Sequence, residues 1–154
     1  MPPTKTIDDL RSAVVQRLRS LPVFPAKVAI IPEDRQSLAT EVAKGLGTGG
    51  GLVIIIYTGT ARNITPAAPI PQCETEIIIE IGEVPAINRG AAGTKLPGVE
   101  AARYCVRALH QFPWTEGRAL TFTEQEYNRD AKGSVVQYFL TFKTQVSFDA
   151  EIGV

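Results

Sequence analysis

The sequence predicts an α+β fold with a single mixed, largely antiparallel sheet of four to five strands. Two to three helices pack on one face of this sheet, and the chain closes with a C-terminal β-hairpin. Three observations predict this fold. The stretch Val135 to Phe148 alternates apolar and polar residues, as a strand with one buried face does. The stretch Leu52 to Thr58 is rich in β-branched apolar residues, which favours a central strand covered on both faces. The segments that begin at Ile7 and near Pro97 repeat apolar residues at spacings of three and four, which is typical of amphipathic helices.

Length and composition favour one domain, residues 1–154, with one core. The chain has 154 residues, of which 44% are hydrophobic, and its 16 basic and 16 acidic residues cancel. A neutral chain has no long-range field that attracts nucleic acid or an anionic membrane. The longest apolar run, Leu52 to Tyr57, is far shorter than the roughly 20 residues that span a bilayer, and the first residues do not form a signal peptide. We therefore expect a protein of the cytoplasm, with Cys73 and Cys105 as free thiols.

The N-terminal third alternates helix and strand. Thr6 is placed to cap a first helix that runs from Ile7 to Leu21. A short strand, Val28 to Ile31, is closed by Pro32. A second helix is expected from Glu33 to Lys44, stopped at Gly45.

Three loops separate the central elements, at residues 45–51, 59–72 and 85–97. The first and the third are rich in glycine, and the second contains three prolines and has no periodicity. Between the second and the third lies a strand, Cys73 to Ile81. On this strand Glu74, Glu76 and Glu80 share one face and apolar residues share the other, so we expect the acidic face to be solvated or paired with basic groups.

The C-terminal part contains the main covering helix and the hairpin. The helix begins near Pro97, and its apolar stripe is Val99, Ala102, Val106 and Leu109. Glu100, Arg103, Arg107 and Gln111 lie on the opposite side. The hairpin consists of a strand from Ala119 to Glu124, a charged turn from Gln125 to Gly133, and the long final strand.

No catalytic, cofactor-binding or metal-ligating residues are predicted. Gly45, Gly47 and Gly50 spell G-x-G-x-x-G, but the motif follows a helix and precedes a strand, the reverse of the dinucleotide-binding order. His110 is the single histidine, and no cysteine or carboxylate is spaced with it as a ligand set. Paired carboxylates can serve as a metal or acid/base site, but the glutamates of the alternating strand are more simply a solvated face. We therefore predict that the protein is not an enzyme and uses no cofactor.

Two residues of the last strand point to an interface instead. Phe139 lies on the nominally polar face, away from Tyr138, Leu140 and Phe142. An apolar ring at such a position indicates either a second covering layer or contact with another subunit. Lys143 shares that face and could lie near the glutamates of the neighbouring strand.

In its layout the chain resembles the tail terminator proteins of tailed bacteriophages and prophages, also called tail completion or minor tail proteins. The resemblance covers most of the chain and is carried by four segments, IDDLRSAVVQRLRSL, LVIIIYTG, PGVEAARYCVRALHQF and ALTFTEQEYNRDAKGSVVQYFLTFKTQVSF. It implies a structural protein without enzyme activity, metal or cofactor. Such a protein forms a ring, commonly a hexamer, on the end of the tail tube, where it stops tube growth and joins the head connector.

The resemblance also implies partners and a location. The partners are other copies of the chain, the tail tube protein and the head-tail connector proteins, with neither nucleic-acid sequence recognition nor a membrane. The location is the cytoplasm of the bacterial host and then the virion tail. The candidate interface residues lie on loops and edges: Arg62, Asn63, Asn88, Arg89, Tyr127, Asn128, Arg129, Phe139 and Lys143.

Two other interpretations of the sequence remain open. One is a small enzyme or ligand-binding domain with a cleft between residues 45–51 and 88–98, in which Arg89 or Lys95 would face an anion. The other keeps the phage context and makes the chain a neck or baseplate subunit of a tail.

Overall fold

The structure, a computed structural model, describes residues 6–148, which fold into four helices and one five-stranded sheet. The elements follow in the order α1 (Ile7–Arg19), β1 (Ala29–Pro32), α2 (Leu38–Leu46), β2 (Leu52–Asn63), β3 (Gln72–Glu83), α3 (Pro85–Asn88), α4 (Gly98–Leu109), β4 (Thr121–Arg129) and β5 (Val136–Ser147). This arrangement confirms the predicted α+β class and the C-terminal hairpin.

The strands lie in the order β1-β2-β3-β5-β4. β1 pairs in parallel with β2, and every other pairing is antiparallel. β2, β3 and β5 each have 12 residues, and β3 lies between the other two. The sheet is therefore mixed and largely antiparallel, with β1 and β4 as its edges.

One face of the sheet, the core face, is covered by α1 and α4. β3 contributes alternate residues to it, including Ile77, Ile79 and Ile81, which are all fully buried. The register places Leu140 beside Ile79 and Phe142 beside Ile77. Side chains directly opposite each other on paired strands point to the same face. The core face of β5 predicted from its period of two is thereby confirmed.

α1 begins at a complete capping box. The N–H of Asp9 donates to Oγ1 of Thr6, and the N–H of Thr6 donates in return to Oδ2 of Asp9. The stripe Leu10, Val14 and Leu18 is fully buried against the core face. The sequence therefore predicted this helix from both its cap and its periodicity.

α2 packs on the opposite face of the sheet, over β1 and β2. Gly45 sits so close to Val53 that a Cβ on this glycine would overlap Cγ1 of the valine. Gly82 faces Val53 and Leu46 from β3. Two helices, α1 and α4, thus cover one face as predicted, and α2 covers part of the other, which explains why Val53 and Ile55 of β2 are both buried.

The bounds of α2 differ from those predicted. Residues before Leu38 form turns, because the N–H of Glu33 donates to the carbonyl of Ile56 and extends the contact with β2. Oε1 of Glu33 also accepts from the N–H of Thr58 at 2.8 Å. The helix then continues through Gly45 instead of stopping there, since only glycine allows this close approach to β2.

The loop predicted at residues 59–72 is shorter in the structure. β2 continues to Asn63 after a register shift between Thr58 and Ala61, and β3 already begins at Gln72. The connecting segment is therefore 64–71. In the same way, α3 forms inside the predicted loop 85–97.

The hairpin turn predicted at residues 125–133 is also shorter. Gln125 pairs with Leu140 and Arg129 with Val136, so these residues belong to β4. The turn itself follows Arg129, where the carboxylate of Asp130 accepts from the N–H of Ser134 at 2.7 Å. Charged residues made this segment resemble a turn, whereas pairing with β5 keeps it extended.

The predicted stripe of α4 is wrong at one position. Val99 has 44% of its surface exposed, whereas Ala101, Ala102 and Cys105 are buried. Apart from Leu109, the buried residues of α4 are small, which allows the helix to lie close to the sheet.

Candidate interaction surfaces

The histidine and the cysteines singled out for possible chemistry have structural surroundings. Nδ1 of His110 accepts a hydrogen bond from the backbone N–H of Phe122 at 3.1 Å. Burial raises the pKa of the Cys105 thiol far above its usual range. Both cysteines are free and buried. Within residues 6–148 no group of three or more histidine, cysteine, aspartate or glutamate side chains is arranged to hold a metal ion.

The described residues also include no helix that is long and apolar enough to cross a membrane.

The two glycine-rich loops are packed directly against each other. The carbonyl of Gly50 accepts from the N–H of Thr94 at 3.2 Å, and the carbonyl of Gly51 accepts from the N–H of Val84 at 2.9 Å. Gly51 has a positive φ of 84°, and a Cβ there would overlap the backbone of Asn88. The two loops are therefore in direct contact at Gly50, Gly51, Asn88 and Thr94, and no open cleft separates them at these residues.

A buried polar cluster holds the second of these loops in place. Nδ2 of Asn88 donates to Oε2 of Glu83 at 2.6 Å and to the carbonyl of Leu96 at 2.7 Å. The hydroxyl of Thr94 donates to Oδ1 of Asn88. Since Asn88 is fully buried and serves this cluster, it is removed from the candidate interface. Arg89 remains at the surface, with 62% of its side chain exposed and Nε 3.7 Å from Oε2 of Glu83.

Arg62 and Asn63 lie at the end of the long β2-β3 hairpin. Arg62 is paired across the strands with Glu74. Oδ1 of Asn63 accepts from the N–H of Thr65 at 2.9 Å, which helps to shape the connection. Segment 64–71 has no charged residue, and its Ile64 and Ile70 are more than two-fifths exposed. The candidate residues at this end therefore border an apolar tip.

Tyr127, Asn128 and Arg129 lie on the edge strand β4 instead of in a turn. The rings of Tyr127 and Tyr138 are 5.3 Å apart between centroids, and Tyr127 is 54% exposed. Nδ2 of Asn128 donates to Oε1 of Gln137 at 3.1 Å. All three residues are exposed and can meet a partner at this edge.

Phe139 and Lys143 belong to a surface that we call the open face. It is the side of β3, β5 and β4 that points away from α1 and α4. Its residues are Glu74, Glu76, Ile78 and Glu80 of β3, Phe139, Thr141 and Lys143 of β5, and Glu124 and Glu126 of β4. Each of these residues is half-buried or exposed. α2 lies over the β1-β2 half of the same side, and no helix of residues 6–148 covers the open face.

The centre of the open face combines an aromatic ring with carboxylates. Phe139 is paired with Glu80 on one side and with Glu126 on the other. Burial raises the pKa of Glu80, and no residue within 6–148 forms an ion pair with it. By contrast, Nζ of Lys143 lies 3.7 Å from Oε1 of Glu74, which agrees with the cross-strand contact expected from the sequence. The open face therefore carries unpaired negative charge around an apolar ring.

No protein-family model matches the chain, and no curated protein matches it in sequence. The fold is nevertheless similar to that of a solved chain from the virion of a native gene transfer agent (GTA) particle. That similarity has a TM-score of 0.59 at 21% sequence identity and covers 90% of this chain and 94% of the other. At this identity the comparison establishes a shared fold over nearly the whole length of both chains.

Proposed function

We propose that this protein is a structural component of a phage-like virion, and specifically a tail terminator. In this role it forms a ring, commonly a hexamer, at the end of the tail tube, stops tube growth and binds the head connector. The observation that carries the proposal is the fold shared with a gene transfer agent virion chain across 90% of this protein. The resemblance of its layout to tail terminators leads to the same role.

The surfaces of the molecule support an assembling protein. The open face exposes Phe139 among unpaired carboxylates, and the β2-β3 hairpin ends in an apolar tip. Apolar residues exposed on one side of a sheet and at a loop tip are typical of surfaces that bind other proteins. The partners in this proposal are further copies of the chain, the tail tube protein and the head-tail connector proteins.

Ring formation is tested by the mass of the protein in solution. We expect light scattering over a series of concentrations to show association towards one closed species, and negative-stain images to show rings. A chain that stays monomeric at the highest concentration contradicts ring formation by the isolated protein.

The terminator role is tested in the strain that carries the gene. An in-frame deletion should leave tails of uncontrolled length that do not join heads, and plasmid-borne wild-type protein should restore normal particles. Tails of normal length in the deletion strain contradict a terminator and favour a neck subunit. Loss of all tails favours a baseplate subunit, since tube growth then fails to start.

A further inference from the structure

We propose that the open face of one copy is covered by the outer surface of α4 of the neighbouring copy in the ring. This inference rests on the ring proposed above and adds the surfaces that form it. It is carried by the space on the open face, by opposite charge on the two surfaces, and by their positions on opposite sides of the chain.

The open face has room for one helix. It consists of three adjacent strands, β3, β5 and β4, whose combined width is about 14 Å at a spacing of about 4.8 Å. A helix with its side chains is about 10 Å across, and a helix as long as α4, with 12 residues, extends about 18 Å. α2 already occupies the neighbouring half of this side, where Gly45 contacts Val53. A helix from another copy would therefore lie beside α2 and complete the layer.

The charges on the open face favour a basic partner. The open face has five glutamates, namely Glu74, Glu76, Glu80, Glu124 and Glu126. Lys143 pairs with Glu74, and Arg62 lies opposite the same glutamate. Glu80 is the most informative member, because burial already raises its pKa while no cation within residues 6–148 compensates it. An incoming guanidinium would stabilise this carboxylate and lower its pKa.

The outer surface of α4 offers the matching side chains. Val99, Arg103 and Arg107 follow each other at spacings of four, so they form one stripe on the helix. All three are exposed. Arg103 pairs with Glu100 at 3.2 Å, whereas Arg107 has no ion-pair partner within the described part of the chain. Two like charges one turn apart are unfavourable in an isolated helix, and acidic groups of a partner remove that cost.

The apolar residues of the two surfaces also match. Val99 is 44% exposed at the start of α4, although the apolar periodicity of the sequence predicts that it is buried. On the open face Phe139 and Ile78 are half-buried and lie on neighbouring strands. Docking would remove the exposed parts of these side chains from water, which favours association.

The two surfaces lie on opposite sides of the molecule. α4 packs on the core face, so its outer stripe points away from the open face of the same copy. Contact between them is therefore head-to-tail and leaves one unused surface at each end of any dimer. Head-to-tail contacts continue until they close into a ring or form a filament.

Engineered cysteines test this contact directly. The variants are V99C on α4 and F139C on the open face, treated with a flexible bismaleimide at concentrations at which wild-type rings form. We expect each variant alone to give no covalent dimer and their mixture to give a dimer with one copy of each. The chain that carries both substitutions should give a covalent ladder that ends at the size of the ring.

Other outcomes separate this inference from the proposed function. Covalent dimers from either single variant at the yield of the mixture indicate a face-to-face contact and overturn the inference. Rings that form without any V99C–F139C cross-link also overturn it but leave the ring itself intact. A wild-type protein that forms no ring contradicts the proposed ring first and this contact with it.

Charge exchange gives a second readout that does not depend on cross-linking. We expect R107E or E80R alone to weaken ring association at least about tenfold, which corresponds to about 1.4 kcal/mol. The double variant R107E/E80R should recover most of that loss. R35E, at an exposed arginine before α2, is the matched control and should leave association unchanged. Equal association of the R107E and R35E variants overturns the inference.

Discussion

The two faces of the sheet share strands but differ in what covers them. On β5, Phe142 points to the core face and is fully buried under the helices, whereas Phe139 points to the open face and is only half-buried. Both are phenylalanines on one strand, three residues apart. The difference shows that the apolar content of a strand does not by itself separate the residues that hold the fold together from those available to a partner.

The same comparison applies to the carboxylates. Glu83 is buried beside Asn88 and receives a hydrogen bond from it, so its negative charge serves the structure of the chain. Glu80, three residues earlier on β3, points to the other face and has no ion-pair partner within residues 6–148. The open face thus carries both Glu80, which has no ion-pair partner within residues 6–148, and the partly exposed ring of Phe139.

Replacing each of the two phenylalanines in turn should show the difference between the two faces most clearly. Phe142→Ala leaves a cavity in the core and is expected to lower the free energy of unfolding by about 3–5 kcal/mol. Phe139→Ala in the isolated chain should cost about 1 kcal/mol or less, because water already reaches that ring. Urea unfolding at a protein concentration at which the chain is monomeric measures both. Equal losses would mean that the open face is part of the core.

A second substitution tests the contact between α2 and the sheet, which lies beside the open face. Gly45→Ala places a methyl group against Val53 and should destabilise the chain by about 1–3 kcal/mol. Lys44→Ala, at the exposed residue beside it, is the control and should change stability by less than about 0.5 kcal/mol. Unchanged stability of the Gly45→Ala variant would indicate that α2 can move away from β2.

The smallest expected effect concerns Glu80 and pH. Because burial raises the pKa of Glu80, the folded chain keeps this proton to a higher pH than the unfolded chain does. The free energy of unfolding of the wild type should therefore fall as pH rises from the usual glutamate range through the raised pKa. Glu80→Gln should lack this fall and be the more stable chain at neutral pH, by less than about 1 kcal/mol because Glu80 is only half-buried and water screens its charge.

Unfolding measured from pH 4 to 8 on the monomeric chain checks this prediction, with Glu124→Gln on the exposed edge strand as the control. Parallel pH curves for the wild type and the Glu80→Gln variant would contradict it. If copies of the chain assemble as proposed, the sign should reverse in the ring, since a neighbouring arginine would stabilise the charged form of Glu80.

Local patterns in the sequence determined most of the fold. The period of two in β3 and β5, the capping box at Thr6 and the periodicity of α1 each depend on neighbours within a few residues. They therefore predicted the element types, the core face of the last strand, the hairpin and a position for Lys143 near the glutamates of β3. They also marked Phe139 as an apolar residue on a polar face.

Only the tertiary structure decided where several elements begin and end and which surfaces stay free. Arg62 and Arg129 lie in strands because residues of the neighbouring strand pair with them, and Asn88 is buried because Glu83 and Thr94 bind it. α2 lies on the second face because Gly45 fits against Val53. These contacts form where one element folds back on the next, and the periodicity of a single helix or strand does not contain them. The bare half of the sheet follows from them, since it is the part that the helices of residues 6–148 leave uncovered.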